Sequence, residues 1–184
     1  MEKEAIDQAK KRLRQMKNAL ALLEAAESFQ AIDDAWSPLI MAYCGLYEKL
    51  RLGSKNDTRS AQWFLRHANK RKSDPLLNYL FQARHADYHG LLDVTKPIIE
   101  NKLAMTATGK LLRYGTGELA SLSVQTVELD VINNTRAGTK LHPPELHLGE
   151  RVPDKKPVTV AKLAVRYLES LIANAEEFAG SSQP

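Results

Sequence analysis

The chain has 184 residues, 26 lysines and arginines against 22 aspartates and glutamates, and a single cysteine, Cys44. This length fits one compact domain with a substantial core. A single cysteine excludes a disulfide framework and a thiolate zinc cluster, which indicates a reducing compartment. The first residues are charged throughout, and no apolar run approaches the roughly 20 residues of a membrane span. We therefore expect a soluble, cytoplasmic protein that does not enter a membrane.

Two long amphipathic helices are predicted at the start of the chain. Over residues 2–27, apolar residues recur at steps of three and four, which places them on one face of a helix. A second helix is predicted over residues 30–52, with Gly53 as its stop signal. Because Pro38 lies inside it, we expect either a kink there or a helix that begins near Ser37.

Two shorter helices are predicted next. Asp57 or Thr58 is suited to cap a third helix that reaches about Lys72. Asp74 followed by Pro75 then predicts the start of a fourth helix, since a capping carboxylate precedes a proline in the first helical position. Gly90 is its expected end.

Basic side chains cluster on the first and third predicted helices. Such clusters attract phosphates, although a run of charges also forms an ordinary solvated face. We take Lys70, Arg71 and Lys72 as candidate RNA-binding residues. The two clusters consist of Lys10, Lys11, Arg12, Arg14 and Lys17, and of Arg66, Lys70, Arg71 and Lys72.

The character of the chain changes after about residue 108. Residues 119–132 are rich in β-branched side chains, residues 133–138 indicate a turn, and a return segment runs through Leu141, so we predict a small antiparallel hairpin. A last helix is predicted over about 158–179. The predicted fold is mainly α, a bundle of four to five helices that forms one domain over residues 1–180. A β-containing insertion at 109–157 precedes the C-terminal helix, and residues 181–184 form a disordered tail.

Several common catalytic sites are missing from the sequence. There is no phosphate-cradling glycine loop, no dinucleotide fingerprint and no Gly-x-Ser-x-Gly elbow. Cys44 lies in an apolar helical stretch and is interpreted as an inert core thiol. We assign structural roles to His67, His142 and His147. The densest group of polar chemistry is Arg84-His85-Ala86-Asp87-Tyr88-His89.

One interpretation of this group is a metal site. His85 and His89 are four positions apart and rise from one face of a helix, with Asp87 nearby as a carboxylate. Two imidazoles and one off-face carboxylate form an incomplete set of ligands, and the second Glu-x-x-His element of a bundle metal centre is absent. We therefore assign neither a metal nor another cofactor.

A second interpretation is structural: Arg84 and His89 cap the last carbonyls of the helix and pair with Asp87 or the helix dipole. A third interpretation pairs Arg84 with His89 in catalysis. Five positions apart on a straight helix, they point about 140° from each other, so they converge poorly within one copy of the chain. Two copies related by a twofold axis bring both pairs into one cleft. Such a cleft combines a permanent cation with a base that titrates near neutral pH. These groups suffice for RNA cleavage without a metal.

The segment from Arg84 to His89 resembles the Arg-x(4–6)-His motif of the HEPN superfamily (higher eukaryotes and prokaryotes nucleotide-binding domains). In that family the residue after the arginine is typically polar, as His85 is here, and the motif ends a helix of an all-helical bundle. The resemblance covers roughly residues 1–105 and 155–180. The insertion at 109–157 departs from the minimal family pattern.

The resemblance implies a homodimer whose motif helices face each other. Many such proteins are metal-independent endoribonucleases, often toxins paired with antitoxins or defence effectors, and a neighbouring antitoxin or nucleotidyltransferase is the partner to expect. By position, Arg84 and His89 become the catalytic pair, and His85 becomes the polar companion that orients the arginine or the phosphate. Tyr88 is a candidate for packing under the guanidinium or stacking on an RNA base. Other family members bind nucleotides or proteins without cutting RNA, which is the alternative.

Overall fold

The computed structural model describes residues 1–89, 94–103, 121–134 and 139–181, without the side chains at 87–89, 99–103, 121–125, 133–134 and 139. Within these ranges the chain forms mainly helices, with small antiparallel sheets ahead of the last helix, so the predicted fold class is confirmed. The helices are α1 (Lys3–Ala25), α2 (Phe29–Gly53), α3 (Thr58–Ser73), α4 (Pro75–His89) and α5 (Pro157–Gly180). The strands are β1 (Thr95–Leu103), β2 (Ser121–Leu129), β3 (Ile132–Asn134), β4 (Thr139–Leu141), β5 (Leu146–His147) and β6 (Glu150–Arg151).

The core lies where α1, α2 and α5 pack together, and α4 also packs against α2. The apolar stripe of α1 is buried there, as its spacing predicted. The centre of the core is formed by large side chains of α2 that are fully buried. These residues include Trp36, Leu39, Ile40, Tyr43, Leu46, Tyr47 and Leu50.

The helix starts follow the capping residues. Ser28 accepts a hydrogen bond from the Ala31 N–H (3.1 Å) at the start of α2, and Asp57 accepts from the Ser60 N–H (2.9 Å) at the start of α3. Asp74 accepts from the Leu77 N–H (2.9 Å) in the first turn of α4. A helix that begins near Ser37 is wrong, because α2 starts at Phe29 and continues through Pro38. The tertiary packing of both halves of α2 offsets the hydrogen bond that Pro38 cannot donate.

The predicted hairpin is confirmed in part. The return segment β4 pairs antiparallel with β3, with Ile132 opposite Leu141, but among the described residues the longer strand β2 pairs with β1, with Thr95 opposite Leu129. The assignment of residues up to about 105 to the bundle is therefore wrong, since β1 occupies Thr95–Leu103 and the β-containing region begins there. Its sequence, TKPIIENKL, alternates poorly and acquires its structure through pairing with β2. Of the predicted turn at 133–138, residues 133 and 134 belong to β3. Residues 135–138, Gly90 and the tail at 182–184 lie outside the described residues.

Polar contacts attach the strands to the bundle. The Thr95 hydroxyl donates to Asp33 Oδ1 on α2 (2.7 Å), and the Tyr79 hydroxyl of α4 donates to the Asp130 carbonyl (2.7 Å). Lys96 also pairs with the Asp130 carboxylate at 2.9 Å. These bonds place the sheet beside α4, the helix that carries Arg84. None of the helices described is long and apolar enough to cross a membrane.

Candidate functional site

A cavity of about 830 Å³ opens on the surface where α1, α2, α3 and α4 meet. Arg12 contributes from α1, Arg71 from α3 and Arg84 from α4, while α2 supplies Cys44 and Tyr47. Its volume lies within the range of roughly 300–1,000 Å³ that is usual for ligand pockets. The cavity therefore joins the predicted motif to residues of three other helices.

Positive charge dominates the wall of this cavity. Arg12, Arg51, Arg71 and Arg84 line it, and Glu48 is the single acid among the described lining residues. Glu48 accepts hydrogen bonds from Arg51 Nε and Nη2 at 2.7 and 2.5 Å, and this contact lowers the pKa of Glu48. Since Glu48 is paired with Arg51, the charges of Arg12, Arg71 and Arg84 give the cavity a net positive charge. A net positive charge attracts anions.

Arg71 lies close to two aromatic rings. Its guanidinium carbon is 4.0 Å from the ring centroid of Phe81 on α4 and 4.8 Å from that of Tyr47 on α2. The Nε atom is buried and has no hydrogen-bond partner among the described residues. Cation–π contacts of this kind hold the side chain in place. They leave the edge of the guanidinium as the part that can form hydrogen bonds.

Arg84 and His85 follow each other in the second half of α4. Ala83 is buried, Arg84 is half-buried and His85 is exposed, since successive helical residues point about 100° apart. The His85 ring meets Phe81 edge-on, with centroids 4.7 Å apart. Both motif residues thus line the cavity that contains Arg71.

Cys44 lines this cavity, and the pKa of its thiol is affected by the charges of Arg71 and Arg84. Burial raises the pKa of Cys44 to about 11, although the charges of Arg71 and Arg84 act to lower it. A thiol with this pKa is almost entirely protonated near neutral pH, and a thiol is a poor nucleophile. The environment therefore agrees with the interpretation of Cys44 as an inert thiol, and it places Arg71 and Arg84 close to one point.

The structure separates the candidate residues of the sequence analysis. Arg71, Arg84 and His85 meet at the cavity, whereas Lys70 and Lys72 do not line it. The Lys70 ammonium instead lies 5.6 Å from the ring centroid of Tyr167. His89 is the last residue of α4. Its side chain and those of Asp87 and Tyr88 lie outside the described part of the structure.

The basic side chains of α1 also lie in different places, some against α5 and one at the cavity. Lys10 pairs with Glu176, and Lys17 pairs with Glu169 at 2.5 Å, so these lysines contact α5. Arg12 alone of this cluster lines the cavity, where it packs beside Gly45. The sequence analysis did not single out Arg12, Arg51, Tyr47 or Phe81 as site residues. The signal for Arg12 is the small residue Gly45, which leaves room for a long side chain above α2.

The remaining histidines with described contacts pack against other side chains. His147 contacts Asp74, and His67 lies beside Trp63, with ring centroids 4.3 Å apart. Burial lowers the pKa of His67, and a side-chain contact with Asn174 opposes that effect. Among the residues described, no group of three or more His, Cys, Asp or Glu side chains is arranged to hold a metal ion.

Comparisons of the chain with protein-family models, curated proteins and solved structures give no match. The resemblance to the HEPN superfamily therefore stays a prediction that depends on Arg84 to His89 and on the helical context. The features of the molecule that bear on function are the charges of the cavity, its aromatic walls and the motif residues Arg84 and His85 that line it.

Proposed function

We propose that this protein is a metal-independent endoribonuclease of the HEPN type that acts as a homodimer. The observation that carries the proposal is the meeting of Arg71, Arg84 and His85 at one positively charged cavity. Phosphodiesters are the anions that guanidinium groups bind well through paired hydrogen bonds. A cleft with cations and aromatic walls suits a single RNA strand, whose exposed bases stack on such rings.

In the proposed reaction, His89 acts as the general base. It takes the proton of a ribose 2′-hydroxyl, and the resulting oxygen attacks the adjacent phosphorus. The bond between phosphorus and the 5′-oxygen breaks, and the leaving oxygen takes a proton from water, so one product ends in a 2′,3′-cyclic phosphate and the other in a 5′-hydroxyl. Arg84 stabilises the charge that develops on the phosphorane, and His85 orients Arg84 or the phosphate.

The proposal includes a dimer because of the helical spacing of the motif. Arg84 and His89 point about 140° apart on a regular helix, so one copy presents them poorly to the same phosphate. Two copies with facing α4 helices place both pairs in one cleft. A toxin or defence role, with an antitoxin or a nucleotidyltransferase as partner, follows from the same resemblance.

The experiment is a cleavage assay on a mixed RNA pool with a chelator present. The wild type is expected to cut and to leave cyclic phosphate ends, whereas Arg84→Ala and His89→Ala are expected to lose cutting while they remain folded. Lys72→Ala is the matched control, because it removes a basic residue of α3 that does not line the cavity. Cleavage that requires a divalent cation would contradict the proposal.

A second candidate is a binding module without catalysis. The observation that favours it is the aromatic part of the cavity, because Tyr47, Phe64 and Phe81 line it beside the arginines. This combination also suits a free nucleotide, with its base on a ring and its phosphate at an arginine. Saturable nucleotide binding without turnover, with His89→Ala changing affinity alone, would favour this candidate.

A further inference from the structure

Arg71 carries a positive charge that no described acid neutralises. No described carboxylate lies within ion-pair distance of it, and its Nε is buried without a hydrogen bond. A charged side chain that is partly removed from water is usually paired, since desolvation is costly. Arg71 is therefore poised for an anionic partner that the described residues do not supply.

The neighbours of Arg71 increase the need for an anion. Arg12 and Arg84 line the same cavity, and the charges of Arg71 and Arg84 both reach Cys44. These like charges repel one another across the cavity, and the repulsion falls with distance and with the ionic strength of the solvent. Glu48 does not offset them, because it accepts two hydrogen bonds from Arg51. An anion in the cavity relieves this repulsion.

The aromatic contacts of Arg71 also fix the orientation in which its guanidinium can bind an anion. The guanidinium carbon lies over the rings of Phe81 and Tyr47, at 4.0 and 4.8 Å from their centroids. Stacked in this way, the side chain has few alternative rotamers, so binding costs little side-chain entropy. The planar group then presents parallel N–H donors, an arrangement that matches two oxygens of a phosphate.

We propose that Arg71 is a phosphate-binding residue that holds a phosphate of the RNA strand flanking the phosphodiester at Arg84. Lys70 and Lys72, its neighbours in the basic cluster, have no such role. The inference rests on the proposed function for the identity of the ligand as RNA. It goes further by assigning strand binding to one residue of α3 rather than to the whole basic cluster.

The test measures binding of a fluorescein-labelled 2′-O-methyl RNA by anisotropy over a range of salt concentrations. Arg71→Gln is expected to weaken binding by about tenfold and to reduce the slope of affinity against salt by about one ion. Lys72→Gln removes the same charge from the same helix outside the cavity, and its effect is expected to stay within about twofold. Equal effects of the two variants would overturn the proposal.

Two further measurements keep the result unambiguous. Thermal unfolding shows whether Arg71→Gln folds. If it does not fold, Arg71→Lys is measured instead. Its binding of the labelled RNA is expected to be about threefold weaker than that of the wild type. Wild-type affinity in Arg71→Lys would then overturn the proposal. Polyglutamate is used as a competitor, and competition as strong as that of unlabelled RNA would mean that the cavity takes acidic proteins instead.

The probe has no 2′-hydroxyl, so binding is measured without cleavage. A wild type that binds it through Arg71 but cuts no RNA would support the phosphate-binding role and contradict the nuclease. If Arg71→Gln instead cuts RNA with the same KM and kcat as the wild type, the nuclease proposal is supported and the phosphate-binding role of Arg71 is contradicted. The two proposals therefore fail separately.

Discussion

His147 Nδ1 lies 3.1 Å from Asp74 Oδ1, and both side chains are buried although the residues are 73 positions apart in the chain. Asp74 also accepts hydrogen bonds from the Leu77 N–H (2.9 Å) and the Leu148 N–H (2.7 Å). An ionised carboxylate only accepts, so His147 Nδ1 carries the proton of this contact. One carboxylate therefore caps α4 and attaches the β5–β6 hairpin to the beginning of the helix that carries Arg84.

The first prediction concerns the pH dependence of stability. Burial acts to raise the pKa of Asp74, but the hydrogen bonds from Leu148, Leu77 and His147 outweigh it, so that the pKa is lowered. A lowered pKa contributes stability above the unfolded-state value of about 3.9, and this contribution disappears as pH falls through the folded-state value. Urea unfolding over the acid range is expected to show a flatter pH dependence for Asp74→Asn than for the wild type.

The control for this prediction is Asp34→Asn, which removes an exposed carboxylate of α2. Its pH profile is expected to follow that of the wild type. Near neutral pH, Asp74→Ala is expected to cost about 2–4 kcal/mol in the free energy of unfolding, because it removes a helix cap and leaves buried donors without partners. Parallel profiles for the wild type and Asp74→Asn would show that this carboxylate does not couple stability to pH.

The second prediction concerns the contact between α1 and the end of α2. A methyl group at Gly53 would overlap the Ala5 side chain, whereas one at Gly180 would meet no atom within 4 Å. Gly53→Ala is therefore expected to lower the free energy of unfolding by about 1–3 kcal/mol. Gly180→Ala is expected to change it by at most about 0.5 kcal/mol. Denaturant unfolding of both variants checks the difference, and equal stabilities would contradict the close packing at Gly53.

The third prediction concerns Cys44. Burial raises its pKa to about 11, so roughly one thiol in a thousand is ionised at pH 8. Alkylation by iodoacetamide is expected to be slow at neutral pH and to accelerate towards pH 11, because the thiolate is the reactive form. Cys44→Ala is expected to retain RNA cleavage within about twofold. Rapid alkylation at pH 7, or loss of cleavage in the variant, would show a chemical role for the thiol.

The fourth prediction tests the proposed dimer. Arg84→Ala and His89→Ala are each expected to be inactive alone. If the cleft combines residues of two copies, mixing the unfolded variants and refolding them together restores part of the activity, because mixed dimers keep one arginine and one histidine. The RNA cleavage assay measures this recovery, with the double variant Arg84→Ala/His89→Ala as the control. A mixture as inactive as its components would contradict the shared cleft.

Helical elements were predictable because their signals are local. The apolar stripe of α1 and the caps at Asp57 and Asp74 lie within one or two turns of the residues that they organise. Strand β1 was missed because Thr95–Leu103 contains lysine, proline and asparagine, and its structure depends on pairing with Ser121–Leu129. The alternative helix start near Ser37 was wrong because a local rule on proline ignores the packing of the helix around Pro38.

The candidate site was predictable only in part. The spacing of Arg84, His85 and His89 singled out α4, and the charge of the third helix singled out Arg71 together with Lys70 and Lys72. Nothing in that run of charges distinguished Arg71 from its neighbours. The distinction depends on Phe81 and Tyr47, which lie on other helices.

The sequence by itself determined the mainly helical fold, the capped starts of α3 and α4, and the position of the Arg84 motif at the end of a helix. These properties follow from periodicity and from hydrogen bonds between near neighbours in the chain. The tertiary structure alone decided that Arg12, Arg71 and Arg84 share one cavity, that Lys10 and Lys17 pair with α5, and that Asp74 meets His147. Contacts of this kind depend on how helices pack, and packing is a property of the whole core rather than of any one segment.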